Sequence, residues 1–374
     1  MMTKALRIVN MKQTNRSIYW PTTLFLVITP VVAFISVPIY IFNFGFPTEI
    51  FVFSLIFSVL TNLSITAGYH RLFAHRSYEA HWLPKMFFLL IGASAWQGSA
   101  LKWASDHRKH HSKVDSDEDP YSIKKGFWYA HMGWLFYRES VDLPVFAPDL
   151  KKDKLVELQD RYYYFIAILM SFALPAIVGH FLGSAWAGFF IGGCLRVVLT
   201  QQSTFLVNSL THTMGQQTYS DQVSARDSLI VAFLTHGEGY HNFHHTFQID
   251  YRNGIKWYQW DPTKWTIRIL WLTGLANRLK KIPDTEILKA RLQMESIRIK
   301  AKGFSDEKIE QMKENIIATQ ARYRKLKADY EIVKKEISDH SKHQIDLLKI
   351  EIERAQLEFQ FGIRQWHLFL KAKI

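Results

Sequence analysis

Four apolar runs constrain this chain more than any other feature, because each is close to the ~20 residues needed to cross a ~30 Å hydrocarbon layer. They extend roughly from Trp20 to Phe44, Ile50 to Tyr69, Tyr162 to Leu182 and Ala185 to Val207. Phe44-Gly45-Phe46-Pro47-Thr48-Glu49 joins the first two, and Gly183-Ser184 joins the last two. Joints this short predict two transmembrane helical hairpins. Inside lipid every backbone N–H and C=O must be satisfied by the segment itself, which favours helices over any open sheet. The fold class read from this pattern is all-α and integral to a membrane.

Orientation follows from the basic residues. Residues 1–19 carry Lys4, Arg7, Lys12 and Arg16, and the two joints carry no Lys or Arg. Nearly all the remaining Lys and Arg lie in the central loop and the C-terminal half. The positive-inside rule then expects both ends and the central loop on the cytoplasmic side, of a bacterial inner membrane or an endoplasmic reticulum. The net charge of +13 fits that bias, with attraction to anionic headgroups, and gives no reason to expect nucleic acid. The lone Cys194 excludes a disulfide within the chain. Met1 to Asn15 is largely polar, so no cleaved signal peptide is expected.

Histidine is clustered just past the apolar runs. His70 and His75 form H-x4-H, while His107, His110, His111 and His241, His244, His245 each form H-x2-H-H. Two copies of that pattern among 16 histidines in 374 residues are not a chance result. Neutral imidazole is a common ligand for iron, zinc and copper. On a helix, positions i, i+3 and i+4 share a face, so each H-x2-H-H box is expected to aim at one place. Five residues turn an α-helix by about 140°, so His70 and His75 either serve different metals or straddle a helix end. A metal transporter would hold such ligands near the bilayer midplane, whereas these clusters flank the runs. Trp82 to Gly98 is apolar but broken by Pro84 and Gly92, and reads as an interfacial or re-entrant helix. The acidic stretch from Asp115 to Asp119 reads as a solvated loop.

The boxes His70-Arg71-Leu72-Phe73-Ala74-His75, His107-Arg108-Lys109-His110-His111 and His241-Asn242-Phe243-His244-His245, with Gly237-Glu238-Gly239 and Asn208-x3-His212, resemble those of the membrane fatty acyl desaturases. The Δ9 acyl-CoA type is the nearest in pattern, and the resemblance covers roughly residues 20–285. It implies four transmembrane helices capped by a cytosolic helical domain that holds two iron ions (Fe2+). It implies nine ligands: His70, His75, His107, His110, His111, His212, His241, His244 and His245, with Asn208 reaching a metal through water. It also implies insertion of a cis double bond into a saturated acyl chain, consuming O2 and two electrons. By the same resemblance Gln97, Trp103 and Thr204 line a bend in the substrate tunnel, and Arg138 contacts the headgroup. Asp106 and Glu238 are the expected orienting groups behind the ligands.

Departures from that family concern the carrier. Ser105 stands where an Arg is expected, Glu139 where a Lys is, and Gly98 where an Asn is. Acyl-CoA remains the first expectation, with acyl chains in intact lipid, or on a carrier protein, as the alternative. A His-box hydroxylase or alkane monooxygenase is a further alternative built on the same metals. Neither a haem-binding His-Pro-Gly-Gly run nor a cysteine set for an iron–sulfur cluster occurs, so a separate electron donor such as cytochrome b5 or ferredoxin is expected. Residues 286–374 alternate charges of both signs, with apolar residues from Ile309 to Val333 at helical spacing. They read as a helical, coiled-coil-like tail with Ser305 as an N-cap, and leave three roles open: oligomerisation, donor recruitment, or simply lying on the surface.

Overall fold

The computed structural model describes residues 17–137, 146–335 and 339–372. Arg138 and Glu139 lie outside the described residues. Four helices are long and apolar enough to cross a membrane: α1 (Trp20–Phe44), α2 (Thr48–Ala74), α5 (Tyr163–Phe181) and α6 (Ala185–His212). Between the pairs lie α3 (Trp82–Ala93) and α4 (Ala100–Lys113). At 12 residues α3 is too short to cross a bilayer. The protein is accordingly an all-α integral membrane protein.

The sequence explains these helices locally. Pro21 enters α1 in its first turn, where a missing N–H costs nothing, and Gly45 ends it at φ +82°. Pro30 and Pro38 sit inside α1, which transmembrane helices tolerate better than soluble ones. Only 17% of the most apolar window of α1 is buried within the protein, against 56% for α6. The exposed side chains Leu24, Val27, Ile28, Val31, Phe34 and Ile35 form one helical stripe that suits lipid. The α5–α6 joint is equally specific: a Cβ on Gly188 would lie 2.1 Å from the Pro175 carbonyl oxygen. Only glycine lets these backbones approach so closely.

Two of the helices run further than the apolar runs suggested. Apolarity fades after Tyr69 and Val207, but the helices continue to Ala74 and His212. The first histidine box therefore sits on a helix end rather than in the loop after it. The last stretch of α2, Ser64–Ala74, is wound as a π-helix.

The chain divides into two compact units, Met1–Asn62 with Leu89–Ser209, and Leu63–Phe88 with Leu210–Ile374. In the first, Arg196 of α6 is 1% exposed. Its guanidinium donates to the Gly192 carbonyl (2.7 Å), the Thr61 hydroxyl (3.3 Å) and the Ser94 carbonyl (3.2 Å), and lies 4.5 Å from the Phe57 ring centroid. An ionisable group at this depth needs such partners, and they tie α6 to α2 and to the turn after α3.

The second unit holds two short helices, α7 (Leu229–Leu234) and α8 (His241–Thr246), then α9 (Pro262–Leu272). Strand β1 (Glu79–Ala80) pairs antiparallel with β2 (Ala276–Asn277). The tail forms α10 (Asp284–Lys300), α11 (Asp306–Val333) and α12 (Asp339–Lys371). Ser305 stands at the N-cap of α11 without a side-chain capping bond. The tail's core is Leu288, Leu292, Ile299, Ile309, Ile316 and Trp366. Ile332, by contrast, is exposed, as are His343 and His367. Trp366 also donates its indole N–H to Glu295 at 2.7 Å. Trp366→Ala should destabilise the tail by about 3–5 kcal/mol, seen as faster limited proteolysis after residue 284; an unchanged cleavage rate would refute this packing.

Candidate metal centre

The π-winding of Ser64–Ala74 resolves the H-x4-H pair. A π-turn bonds residue i+5 to residue i, and the His75 N–H donates to the His70 carbonyl at 3.0 Å. Two residues five positions apart, which would diverge on an α-helix, are thereby brought together at the helix end, with ring centroids 4.8 Å apart. His244 of α8 joins them, its ring 4.5 Å from His70 and 4.6 Å from His75. One ring nitrogen from each of the three lies within 4.8 Å of the others.

A second trio, in the same unit, is His212, His241 and His245. The Nε2 atoms of His241 and His245 are 3.0 Å apart, and the His212 ring is 4.9 and 5.4 Å from theirs. The third box is thus divided between two places, contrary to the expectation that all three residues aim at one. The reason is angular. Positions i and i+4 differ by about 40° around a helix, whereas i+3 and i+4 differ by about 100°. His241 and His245 are the i, i+4 pair, and His244 is left for the other trio.

The box on α4, in the first unit, divides the same way. His107 and His111 have rings 4.6 Å apart, while His110 is 6.1 and 5.4 Å from them. Ser99 starts this helix as its N-cap, accepting from the Lys102 N–H. The third box is positioned by its own non-ligand residues. Asn242, fully buried, accepts backbone N–H groups from Thr218, Tyr219 and Ser220. Phe243 is buried, and its N–H donates to Asp227 at 3.0 Å.

Hydrogen bonds to the far ring nitrogens show whether this set suits a metal. His70 Nδ1 lies 2.9 Å from Glu238 Oε2 and His110 Nδ1 2.9 Å from Asp119 Oδ1. A carboxylate only accepts, so each Nδ1 carries the proton and each Nε2 keeps a lone pair. The His70 lone pair faces Nε2 of His244 at 3.0 Å. His212 Nδ1 meets the Ser224 hydroxyl at 2.7 Å. Imidazoles held with their lone pairs converging, several of them oriented by an outer partner, are the donor set of a nitrogen-ligated transition metal.

Electrostatics keep these partners ionised or neutral as required. Burial works against the Glu238 carboxylate, but the contacts with His70 and Arg71, the Arg71 charge and hydrogen bonds from both residues among them, outweigh it and hold its pKa below the usual carboxylate range. Burial, with Asp119 and Asp106 nearby, pushes the Tyr121 phenol well above its usual value. It therefore stays neutral beside His107 Nδ1, at 3.3 Å.

Gln97, Trp103 and Thr204 form one hydrogen-bonded chain: the Trp103 indole donates to Gln97 (3.2 Å), and the Gln97 amide donates to Thr204 (2.9 Å). Trp103 also stacks on His107, ring centroids 4.9 Å apart. Asp106 pairs with Lys102. Asn208 is half-buried near the end of α6. Sequence reasoning missed three residues. Asp119, read with its neighbours as solvated loop, is 1% exposed and orients His110. Tyr121 and Ser224 are the others. A carboxylate eight or nine residues past a histidine box was the available signal for Asp119; an isolated Ser or Tyr offers none.

Comparison with known proteins agrees with this geometry. The family model "Fatty acid desaturase" matches residues 47–272. Acyl-CoA desaturase 1 of Saccharomyces cerevisiae is 42% identical over 257 residues, 68% of this chain and 50% of that protein. A probable acyl-CoA desaturase of Schizosaccharomyces pombe is 42% identical over 259 residues, 68% of this chain and 53% of that one. The chain thus spans about half the length of these two yeast relatives. An sn-1 stearoyl-lipid 9-desaturase of Anabaena variabilis is 36% identical over 228 residues, 60% of this chain and 82% of that protein. With every histidine box inside the matched segment, the chain belongs to the fatty acid desaturase family.

Proposed function

We propose that this protein is an O2-dependent desaturase that introduces a cis double bond at Δ9 of a saturated acyl chain, with acyl-CoA as substrate. The observation that carries the reading is the pair of histidine trios, buried but for half-buried His75, with facing Nε2 atoms, in a family whose two yeast relatives above are named for acyl-CoA. Iron bound there, with O2 and two electrons from a cytochrome b5- or ferredoxin-type donor, would supply the oxidant that an unactivated methylene requires. His70, His75 and His244 would hold one iron, and His212, His241 and His245 the other. By the family resemblance alone, His107, His110 and His111 would be further ligands, with Asn208 acting through water.

The remaining residues position and shield. Glu238, Asp119 and Ser224 fix ring orientation. The Trp103–Gln97–Thr204 chain satisfies its own polar groups, so a wall built from it presents little unmet polarity to an acyl chain. Arg138 is proposed as a headgroup contact on the family resemblance alone, and the site is proposed to face the cytoplasm. On α12, Leu347, Ile350, Leu357, Phe361 and Leu368 are exposed at heptad spacing, which supports self-association through the tail.

One observation favours a second reading, desaturation of chains in intact glycerolipid. Ser105 is 2% exposed and uncharged where the family resemblance expects an Arg, so it offers no charge to a CoA phosphate. Membranes from cells expressing the protein, given in parallel either labelled stearoyl-CoA with acyl transfer blocked or glycerolipid already carrying labelled stearate, decide between the two. Labelled cis-Δ9 product on CoA is the expected result. Product confined to glycerolipid selects the second reading, and a hydroxy acid overturns desaturation.

A further inference from the structure

His70 is one end of a buried charged chain that runs well beyond the carboxylate touching it. Glu238 accepts from His70 Nδ1 through Oε2, and that oxygen also accepts from the Asn253 amide at 2.7 Å. Its other oxygen accepts from Arg71 at 3.0 Å. Arg71, the residue next to His70, is 1% exposed. Its guanidinium continues to both oxygens of Asp261, at 3.1 and 3.0 Å, and to the Tyr251 carbonyl at 2.8 Å.

Asp261 is where the chain ends in rigid backbone. It is fully buried and accepts backbone N–H groups from Asn253 (2.8 Å), Gly254 (3.0 Å) and Lys264 (2.9 Å). The last of these caps α9. The loop before Glu238 rests directly on it: a Cβ on Gly237 would lie 2.6 Å from Asp261 Oδ1. Asp261 thus fixes one end of Arg71 and the backbone from which Glu238 projects.

We propose that Asp261 is a positioning residue for the metal site of His70, His75 and His244, acting through Arg71 and Glu238 to set the orientation and proton position of His70. Without Asp261, Arg71 keeps one carboxylate instead of two and is free to swing toward it. Glu238 then shifts, and His70 loses the partner that holds its Nε2 lone pair on the metal. A carboxylate behind a ligating imidazole also raises its basicity, and loss of such partners lowers metal affinity about 10–100-fold. The bonds described run to His70 and not to the trio of His212, His241 and His245, so the effect should fall on one metal.

This inference rests on the di-iron reading above, and the test separates the two. Full-length wild type, Asp261→Asn, Arg71→Lys and Asp250→Asn are compared by iron content per folded chain and by Mössbauer spectroscopy in detergent. Asp250 is a control for general destabilisation: it is buried in the same loop as Tyr251 and Asn253, but its carboxylate accepts from Arg252 at 2.7 Å and from the Ile282 N–H, not from Arg71. Asp261→Asn is expected to lose or shift the signal of one iron and keep the other, with roughly half the iron bound. Arg71→Lys, which keeps the charge but not the fork, is expected to affect the same signal more weakly. Asp250→Asn should keep both irons. If wild type binds no nitrogen-ligated iron, the di-iron reading falls and this inference with it. If wild type binds two and Asp261→Asn keeps both signals unchanged, only the inference falls. Equal loss of both irons in Asp261→Asn and Asp250→Asn also overturns it, because that pattern means general destabilisation.

Discussion

On the proposed function, His244→Ala is expected to reduce desaturation to background and to halve the bound iron rather than remove all of it. His244 supplies the Nε2 that faces His70 at 3.0 Å, and its ring completes the set around His75. Without it, two imidazoles of that trio remain. His241 and His245 lie on the same short helix but point elsewhere by the angular argument above, and their own contact at 3.0 Å does not involve His244. Iron assay on purified protein and gas chromatography of fatty acids measure the two effects. Retained turnover would refute the ligand assignment. Complete loss of iron would refute the idea of two separate trios.

Gly239→Ala should be the most damaging substitution outside the ligands. A Cβ there would lie 2.0 Å from the Ala232 nitrogen and 2.5 Å from the Val231 carbonyl carbon. Both are backbone atoms of α7, so no side chain can swing aside. The same glycine's carbonyl accepts the Ser228 N–H at 2.8 Å, at the start of α7, so the two segments cannot separate without losing that bond. A cost of about 4 kcal/mol or more is expected, with the third histidine box displaced. Gly274→Ala makes the contrast: its φ is +75° but nothing lies within 4 Å, so about 1 kcal/mol of backbone strain is all it should cost. Thermal melting in detergent compares the two, and equal melting temperatures would show that α7 yields.

Legibility in the sequence followed the range of the interactions. The spans could be read because about 20 apolar residues in a row suit lipid and little else, and the boxes because imidazole at helical spacing is rare. The partition within each box was hidden. Residues i, i+3 and i+4 look like one face, and only the place of each helix makes the 40° and 100° separations matter. The π-winding of Ser64–Ala74 has no residue signature, so spacing alone leaves the H-x4-H pair ambiguous. Asp119 was concealed behind Asp115, Ser116, Asp117 and Glu118, in a stretch that looks solvated. Arg71 and Asp261 are 190 residues apart in sequence, and nothing local to either announces the other.

The π-segment of α2 has a consequence for how this chain tolerates change in length. A π-turn takes up one more residue than an α-turn, so Ser64–Ala74 behaves as an α-helix carrying an insertion. Remove one residue from it and the helix can relax to ordinary winding, which would rotate His70 and His75 apart while leaving the apolar run long enough to cross the bilayer. Most transmembrane helices are judged by length and apolarity alone and drift freely by a residue. This one is counted at its end by a metal site, so between Ser64 and His75 its residue number is as constrained as its composition.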